Sequence, residues 1–161
     1  MLWFKKTGSV SSPLQQMRAK LPFLNELSAR ELGLLESIAH ERQYMPGEII
    51  FDEGEEGVGM YLVMEGKVRI FRKGMIGNQH DVALIPPGEF FGELALLDCF
   101  PRSASASAVE PTLLLGFFRP EIMDVIQDHP RLGMKFSIEL ARHLGARLRE
   151  STEKGNRAAV V

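Results

Sequence analysis

The chain is poor in the residues that most often carry chemistry. Its 161 residues include one cysteine, one tryptophan and four histidines. A lone thiol, Cys99, excludes an internal disulfide and suits a reducing, cytoplasmic setting, where a small packed or half-exposed thiol is the expected role. Of the histidines His40, His80, His129 and His143, only His80 falls near the predicted strands, and no His-x-His occurs. A metal-dependent barrel enzyme is therefore not expected, since it needs His and carboxylate ligands clustered on strands. No nucleophile–base motif stands out either, and the reading is of a protein that is not an enzyme and has no cofactor. Basic surplus is also missing: 19 Lys and Arg face 21 Asp and Glu, a net charge of −2. Broad nucleic-acid binding usually needs the opposite balance. No segment approaches the roughly 20 apolar residues of a membrane span. The start, MLWFKK, puts apolar residues before charge and is too short for a secretory signal. Trp3 and Phe4 in Met1–Phe4 leave contact with a membrane or a partner open, against a loosely packed tail.

Hydrophobic residues make up 45 % of the chain, with 15 Gly and 9 Pro, which fits one turn-rich domain with a proper core. Residues 1–12 read as a tail. Pro13 suits the first turn of a helix through about Lys20, and Leu21–Leu24 is a break. Ser28 followed by Glu31 has capping-box spacing and announces a second helix through His40. From residue 42 to 118 the pattern changes to short strands separated by Gly and Pro turns. These are Glu48–Phe51, Met60–Met64, Lys67–Arg72, Val82–Ile85 and Thr112–Phe118, with Glu65-Gly66 and Pro86-Pro87-Gly88 as punctuation. Such spacing predicts an antiparallel β-barrel or jelly roll. Helices return at Ile122–Asp128 and from Pro130 to about Glu150. On the second, Leu132, Phe136, Leu140, Leu144 and Leu148 recur every four residues as an amphipathic stripe. Residues 151–161 read as a frayed tail. The fold class expected is α+β: a barrel between N-terminal helices and a C-terminal helical lid.

Phe91 to Ala108, FGELALLDCFPRSASASA, is the richest stretch. Leu94–Leu97 can form one helical turn whose N–H groups face an anion. Gly92 permits close backbone approach. Arg102 supplies a permanently charged fork that matches phosphate oxygens. Glu93 would repel a phosphate but can accept a hydrogen bond from a nearby hydroxyl, such as a ribose offers. Alternation after Pro101 places Arg102, Ala104, Ala106 and Ala108 on one face and Ser105 and Ser107 on the other, the outer one. An inward arginine needs an anion, either a ligand phosphate or a buried acid such as Glu93.

Phe91, Gly92, Glu93, Leu94, Ala95, Leu96 and Leu97, followed by Pro101, Arg102 and Ala104, resemble the phosphate-binding cassette of the cyclic nucleotide-binding domain family. That family includes bacterial cAMP receptor transcription factors, regulatory subunits of cAMP-dependent kinase and cyclic nucleotide-gated channels. The resemblance implies a single such domain over residues 13–161, with N-terminal helices over 13–41, a barrel over 42–118 and a lid over 119–150. It implies that Arg102 binds the cyclic phosphate and Glu93 the ribose 2′-hydroxyl. Gly92, Leu94 and Ala95 would contribute backbone groups and shape, and Phe91 completes the set. Val82 and Leu84, with Ala83 between them, are assigned to the purine pocket. Ser103 leaves cAMP against cGMP open, with cAMP favoured as the commoner ligand. Arg142, His143, Leu144 and Arg147 are candidates for capping the base, beside the alternative of a solvated helix face.

The function expected is a stand-alone regulatory sensor for a 3′,5′-cyclic nucleotide, signalling through movement of the C-terminal helices. The amphipathic stripe is the expected contact for a protein partner or for a second copy. A cAMP-receptor-type transcription factor continues into a helix-turn-helix domain of some 60–80 residues, and this sequence stops short of one. DNA binding by this chain alone is thus not expected, unless it is a fragment. The remaining alternative is an interaction module of the same fold without a ligand, which the Glu93 and Arg102 pair argues against.

Overall fold

The computed structural model describes residues 11–159. Expectations for Met1–Phe4 and for most of the N-terminal tail lie outside the described residues. Contacts divide the chain into two compact units, with the boundary after Asp124.

The first unit opens with helix α1 (Pro13–Gln16), capped by Ser12 in a reciprocal box with Gln15. It is shorter than the helix expected through Lys20, because Met17 closes it and turns carry the chain onward. A 3₁₀ turn over Pro22–Glu26 buries Phe23 and Leu24 where a plain break was expected. Helix α2 (Ala29–Ser37) begins as its spacing predicts: the Ser28 side chain accepts from Glu31 N–H, and the Glu31 carboxylate accepts from Ser28 N–H. It ends before His40, because His40 already pairs with Gly116 as the first residue of a strand.

Eight strands follow: β1 (His40–Tyr44), β2 (Ile49–Phe51), β3 (Gly59–Glu65), β4 (Val68–Lys73), β5 (Gln79–Ile85), β6 (Phe90–Phe91), β7 (Ser105–Ala108) and β8 (Thr112–Phe118). They form two antiparallel four-stranded sheets, ordered β1-β8-β3-β6 and β2-β7-β4-β5. The core cluster draws Tyr61, Val63, Phe91 and Leu114 from the first sheet, and Val68, Ile85 and Ala106 from the second. This is the jelly-roll form of the expected α+β architecture. Burying these side chains stabilises the fold by roughly 1.5–3 kcal/mol for each large one. Gly66 turns β3 into β4 at φ +80°, a conformation open to glycine.

Two readings of the strands need correction. β7 begins at Ser105, so Arg102 precedes the strand and its inward direction comes from the loop that holds it. Ser105 and Ser107, on the face of β7 opposite the core residue Ala106, are not exposed as an outer face would be: both are buried. The Ser105 hydroxyl accepts from Glu53 N–H at 2.9 Å and donates to Asp52 at 3.3 Å, because the β2–β3 loop folds across that side of β7. The short strand β6 was not expected from the sequence. Helix α3 (Leu94–Leu97) forms the predicted single turn between β6 and β7. Helix α4 (Arg119–Asp128) begins within the first unit, where the Glu121 carboxylate meets His40 Nε2 of β1 at 2.8 Å.

The second unit holds the rest of α4 and helix α5 (Pro130–Ala159). α5 runs well past Glu150, where a tail was expected, because the residues after it include strong helix formers and no proline. Gly133 allows a close elbow, since a Cβ there would lie 2.8 Å from Ile126 Cγ2. Along the predicted stripe Leu132 is 1 % exposed and Leu148 69 %, so its far end is bare. Among the described residues no helix is long and apolar enough to cross a membrane.

Candidate functional site

The site is built around Arg102, and three segments distant in sequence place its guanidinium. Its backbone is clamped by the β2–β3 loop: Arg102 N–H donates to the Glu55 carbonyl at 2.7 Å, and Gly54 N–H donates to the Arg102 carbonyl at 2.8 Å. A bridge between Glu56 and Pro101 extends the same pairing. The side chain then turns inward, leaving the residue 8 % exposed. Nη1 donates to the Gly92 carbonyl at 2.9 Å and Nη2 to the Gly59 carbonyl at 2.8 Å. The guanidinium carbon sits 4.0 Å from the centroid of the Phe51 ring. Nε is buried and has no hydrogen-bond partner.

A buried, permanently charged group with an unsatisfied N–H is costly to maintain, by roughly 1–3 kcal/mol for the unmade bond. Burial pulls the guanidinium below its ordinary pKa, while Tyr61, Glu55 and Glu93 act in the opposite direction. Arginine stays charged across this range. The arrangement is a rigidly held guanidinium whose Nε–H has no hydrogen-bond partner.

Gly92 is required twice over. Its φ of +74° favours glycine, and a Cβ there would lie 2.7 Å from Arg102 Nη1. Glu93 follows at the N-terminal edge of α3, 3 % exposed, with helical backbone angles and no capping bond from its side chain. Within α3, Ala95 is buried and Leu94 is 46 % exposed. Gly57 lies against this turn: a Cβ there would stand 2.7 Å from Ala95 Cβ and 3.5 Å from Arg102 Nε. The structure thus brings Gly92, Glu93, Leu94, Ala95 and Arg102 into one cluster.

Other predicted site residues sit differently. Phe91 is fully buried, its ring 5.4 Å from Tyr61 and 5.9 Å from Phe51. Its side chain supports the site from within the core and offers no surface to a ligand. Ser103 is exposed next to Arg102, and its carbonyl accepts from Arg72 Nε at 3.1 Å. Val82 and Leu84 lie on β5 in the other sheet, 48 % and 56 % exposed. Between them Ala83 packs against the core, and the pairing with β4 skips Val82, which makes it a bulge residue. Cys99 is exposed, with Arg119 Nη1 3.0 Å from its sulfur. Among the described residues no group of three His, Cys, Asp or Glu side chains is placed to hold a metal ion.

Sequence reasoning missed Phe51, Glu55 and Gly59. The three closely spaced glycines Gly54, Gly57 and Gly59 were a signal of close backbone approach, but nothing local said what approaches them.

The model of the cyclic nucleotide-binding domain matches residues 41–129, just over half of the chain and all of the Arg102 cluster. The chain belongs to the cyclic nucleotide-binding domain family. It is 42 % identical over 123 residues to the cyclic AMP receptor protein of Thermus thermophilus, an alignment covering 76 % of this chain and 57 % of that protein. The crystal structure of the Thermus thermophilus catabolite activator protein superposes with a TM-score of 0.71 at 40 % identity, covering 86 % of this domain's chain and 63 % of that one. A cyclic nucleotide-binding domain from Methylobacillus flagellatus gives a TM-score of 0.79 at 25 % identity, with 90 % and 85 % covered. This cyclic nucleotide-binding chain spans about half the length of curated relatives such as the Thermus receptor.

Proposed function

We propose that this domain binds a 3′,5′-cyclic nucleotide, cAMP in preference to cGMP, and reports occupancy through its C-terminal helices. The observation that carries the reading is the buried Arg102 guanidinium, fixed by two carbonyls and a ring, with Nε–H unpartnered. A cyclic phosphate oxygen satisfies that donor and neutralises the buried charge at once. Glu93, buried at the edge of α3, is the acceptor for the ribose 2′-hydroxyl. Gly92, Leu94 and Ala95 shape the phosphate pocket, with Phe91 behind them. The half-exposed apolar side chains of Val82 and Leu84 suit the face of a purine. Ser103, exposed beside Arg102, is the position that tunes which purine is preferred. The preference for cAMP draws on relatives whose names specify that ligand.

Signalling requires that the nucleotide bind one arrangement of the helices more tightly than another. The bare end of the stripe at Leu148 is the surface proposed for a protein partner or a second copy. Titration calorimetry with cAMP, cGMP and AMP tests the reading: cAMP is expected to bind most tightly and AMP least. Well-folded protein that gives no heat with any of the three would overturn it.

A further inference from the structure

We propose that Phe51 is a positioning residue for ligand binding: its ring is the platform that orients the Arg102 guanidinium so that the Nε edge faces the phosphate. The proposal rests on the cyclic-nucleotide reading and deepens it. Three contacts converge on one planar group. Gly92 and Gly59 carbonyls hold Nη1 and Nη2, and the guanidinium carbon stands 4.0 Å over the Phe51 ring centroid. Two hydrogen bonds along one edge leave the plane free to rock about that edge; a ring against one face removes this freedom. A cation at that distance over an aromatic face is well within the attractive range, and more strongly so when desolvated. Phe51 is itself fixed, with its ring centroid 5.9 Å from Phe91 and 6.2 Å from Tyr61. Those two residues face each other across β3 and β6, whereas Phe51 ends β2 in the opposite sheet. The platform therefore ties the orientation of Arg102 to the facing of the two sheets. A purely space-filling Phe51 would have no reason to present its face to a charged group already held at both Nη1 and Nη2.

The test compares Phe51→Leu, which keeps apolar volume, with Phe51→Tyr, which keeps the aromatic face. Binding of cAMP and of the two phosphorothioate diastereomers of cAMP is measured for each by calorimetry. Phe51→Leu is expected to weaken cAMP binding by about threefold to thirtyfold and to narrow the discrimination between the diastereomers. Phe51→Tyr is expected to restore both. Wild-type affinity and discrimination in Phe51→Leu, or equal losses in both variants, would overturn the proposal. A second readout needs no ligand: the Arg102 Nε–H resonance. Ring-current shielding moves it in the wild type and in Phe51→Tyr and is lost in Phe51→Leu; an unmoved resonance in Phe51→Leu overturns the platform. If the wild type binds none of the nucleotides, the cyclic-nucleotide reading fails by itself, and the resonance still decides whether Phe51 orients Arg102.

Discussion

Replacing Arg102 by alanine removes a group proposed to hold the ligand that also ties the fold together, and the two effects are expected to differ in size. On the stabilising side are two charge-assisted hydrogen bonds, to Gly92 and Gly59, each worth about 1.5–3 kcal/mol. Stacking on Phe51 adds roughly 0.5–2 kcal/mol. Against them stands the cost of holding a charge in a site 8 % exposed, with Nε unsatisfied. The Gly92 carbonyl also keeps a second donor, Ala95 N–H at 3.3 Å. These terms largely offset, so Arg102→Ala is expected to lose only about 1–2 kcal/mol, a fall in Tm of roughly 2–8 °C for a domain of this size. Binding has no such compensation. Losing even one charged hydrogen bond to phosphate costs about 1.5–3 kcal/mol, or roughly tenfold to 150-fold in Kd. Arg102→Lys keeps the charge but loses the planar fork, and falls between. Denaturant unfolding and calorimetry on both variants separate the two effects. Arg102→Ala protein that binds cAMP within threefold of wild type would refute the assignment. A stability loss above about 5 kcal/mol would instead show a purely structural arginine, as expected when a buried charge network is broken.

Gly92→Ala combines a left-handed backbone, costing about 1–2 kcal/mol for a residue with a Cβ, with a methyl 2.7 Å from Arg102 Nη1. It is expected to weaken cAMP binding more than its loss of Tm alone suggests; unchanged affinity would show that the guanidinium can shift without consequence. Asp52 is held below its ordinary value of 3.8, chiefly by the hydrogen bond from Lys73. A depressed carboxylate contributes stability that is present above the unfolded pKa and is lost as pH falls through the folded one. Unfolding curves from pH 5 downwards should therefore show a shallower acid loss in Asp52→Asn, and identical slopes would rule out this contribution. Ser28→Ala removes the α2 cap and should cost about 0.5–2 kcal/mol in denaturant unfolding, with no change in nucleotide affinity.

Local signals in the sequence determined much of this protein. Ser28 with Glu31 fixed the start of α2, because a capping box lies within one turn. The apolar run Thr112–Phe118 marked β8 with both its ends. The combination of Gly92, Glu93, the Leu94–Leu97 turn, Pro101 and Arg102 is itself local, so the pocket's charges and its family were readable from eighteen residues. Element ends were less secure where pairing decided them. His40 carries no strand signal but is drawn into β1 by β8, and α5 continues past Glu150 through helix-forming residues that look like a polar tail.

Only the tertiary structure decided what surrounds Arg102. Its Nη2 acceptor, the Gly59 carbonyl, is 43 residues away in sequence on the opposite sheet, and the Phe51 ring comes from β2, the neighbour of the strand that Arg102 leads into. Neither contact has a local signature, because each arises from strand pairing and sheet packing between segments far apart in sequence. The tertiary structure also buries Ser105, against Glu53 and Asp52 of the β2–β3 loop, and Ser107, although strand alternation alone would leave them outside. It also takes Phe91 away from the ligand side and makes it core. The sequence supplied the charged groups of the site. Long-range pairing set their direction, their burial and the Nε–H left without a partner.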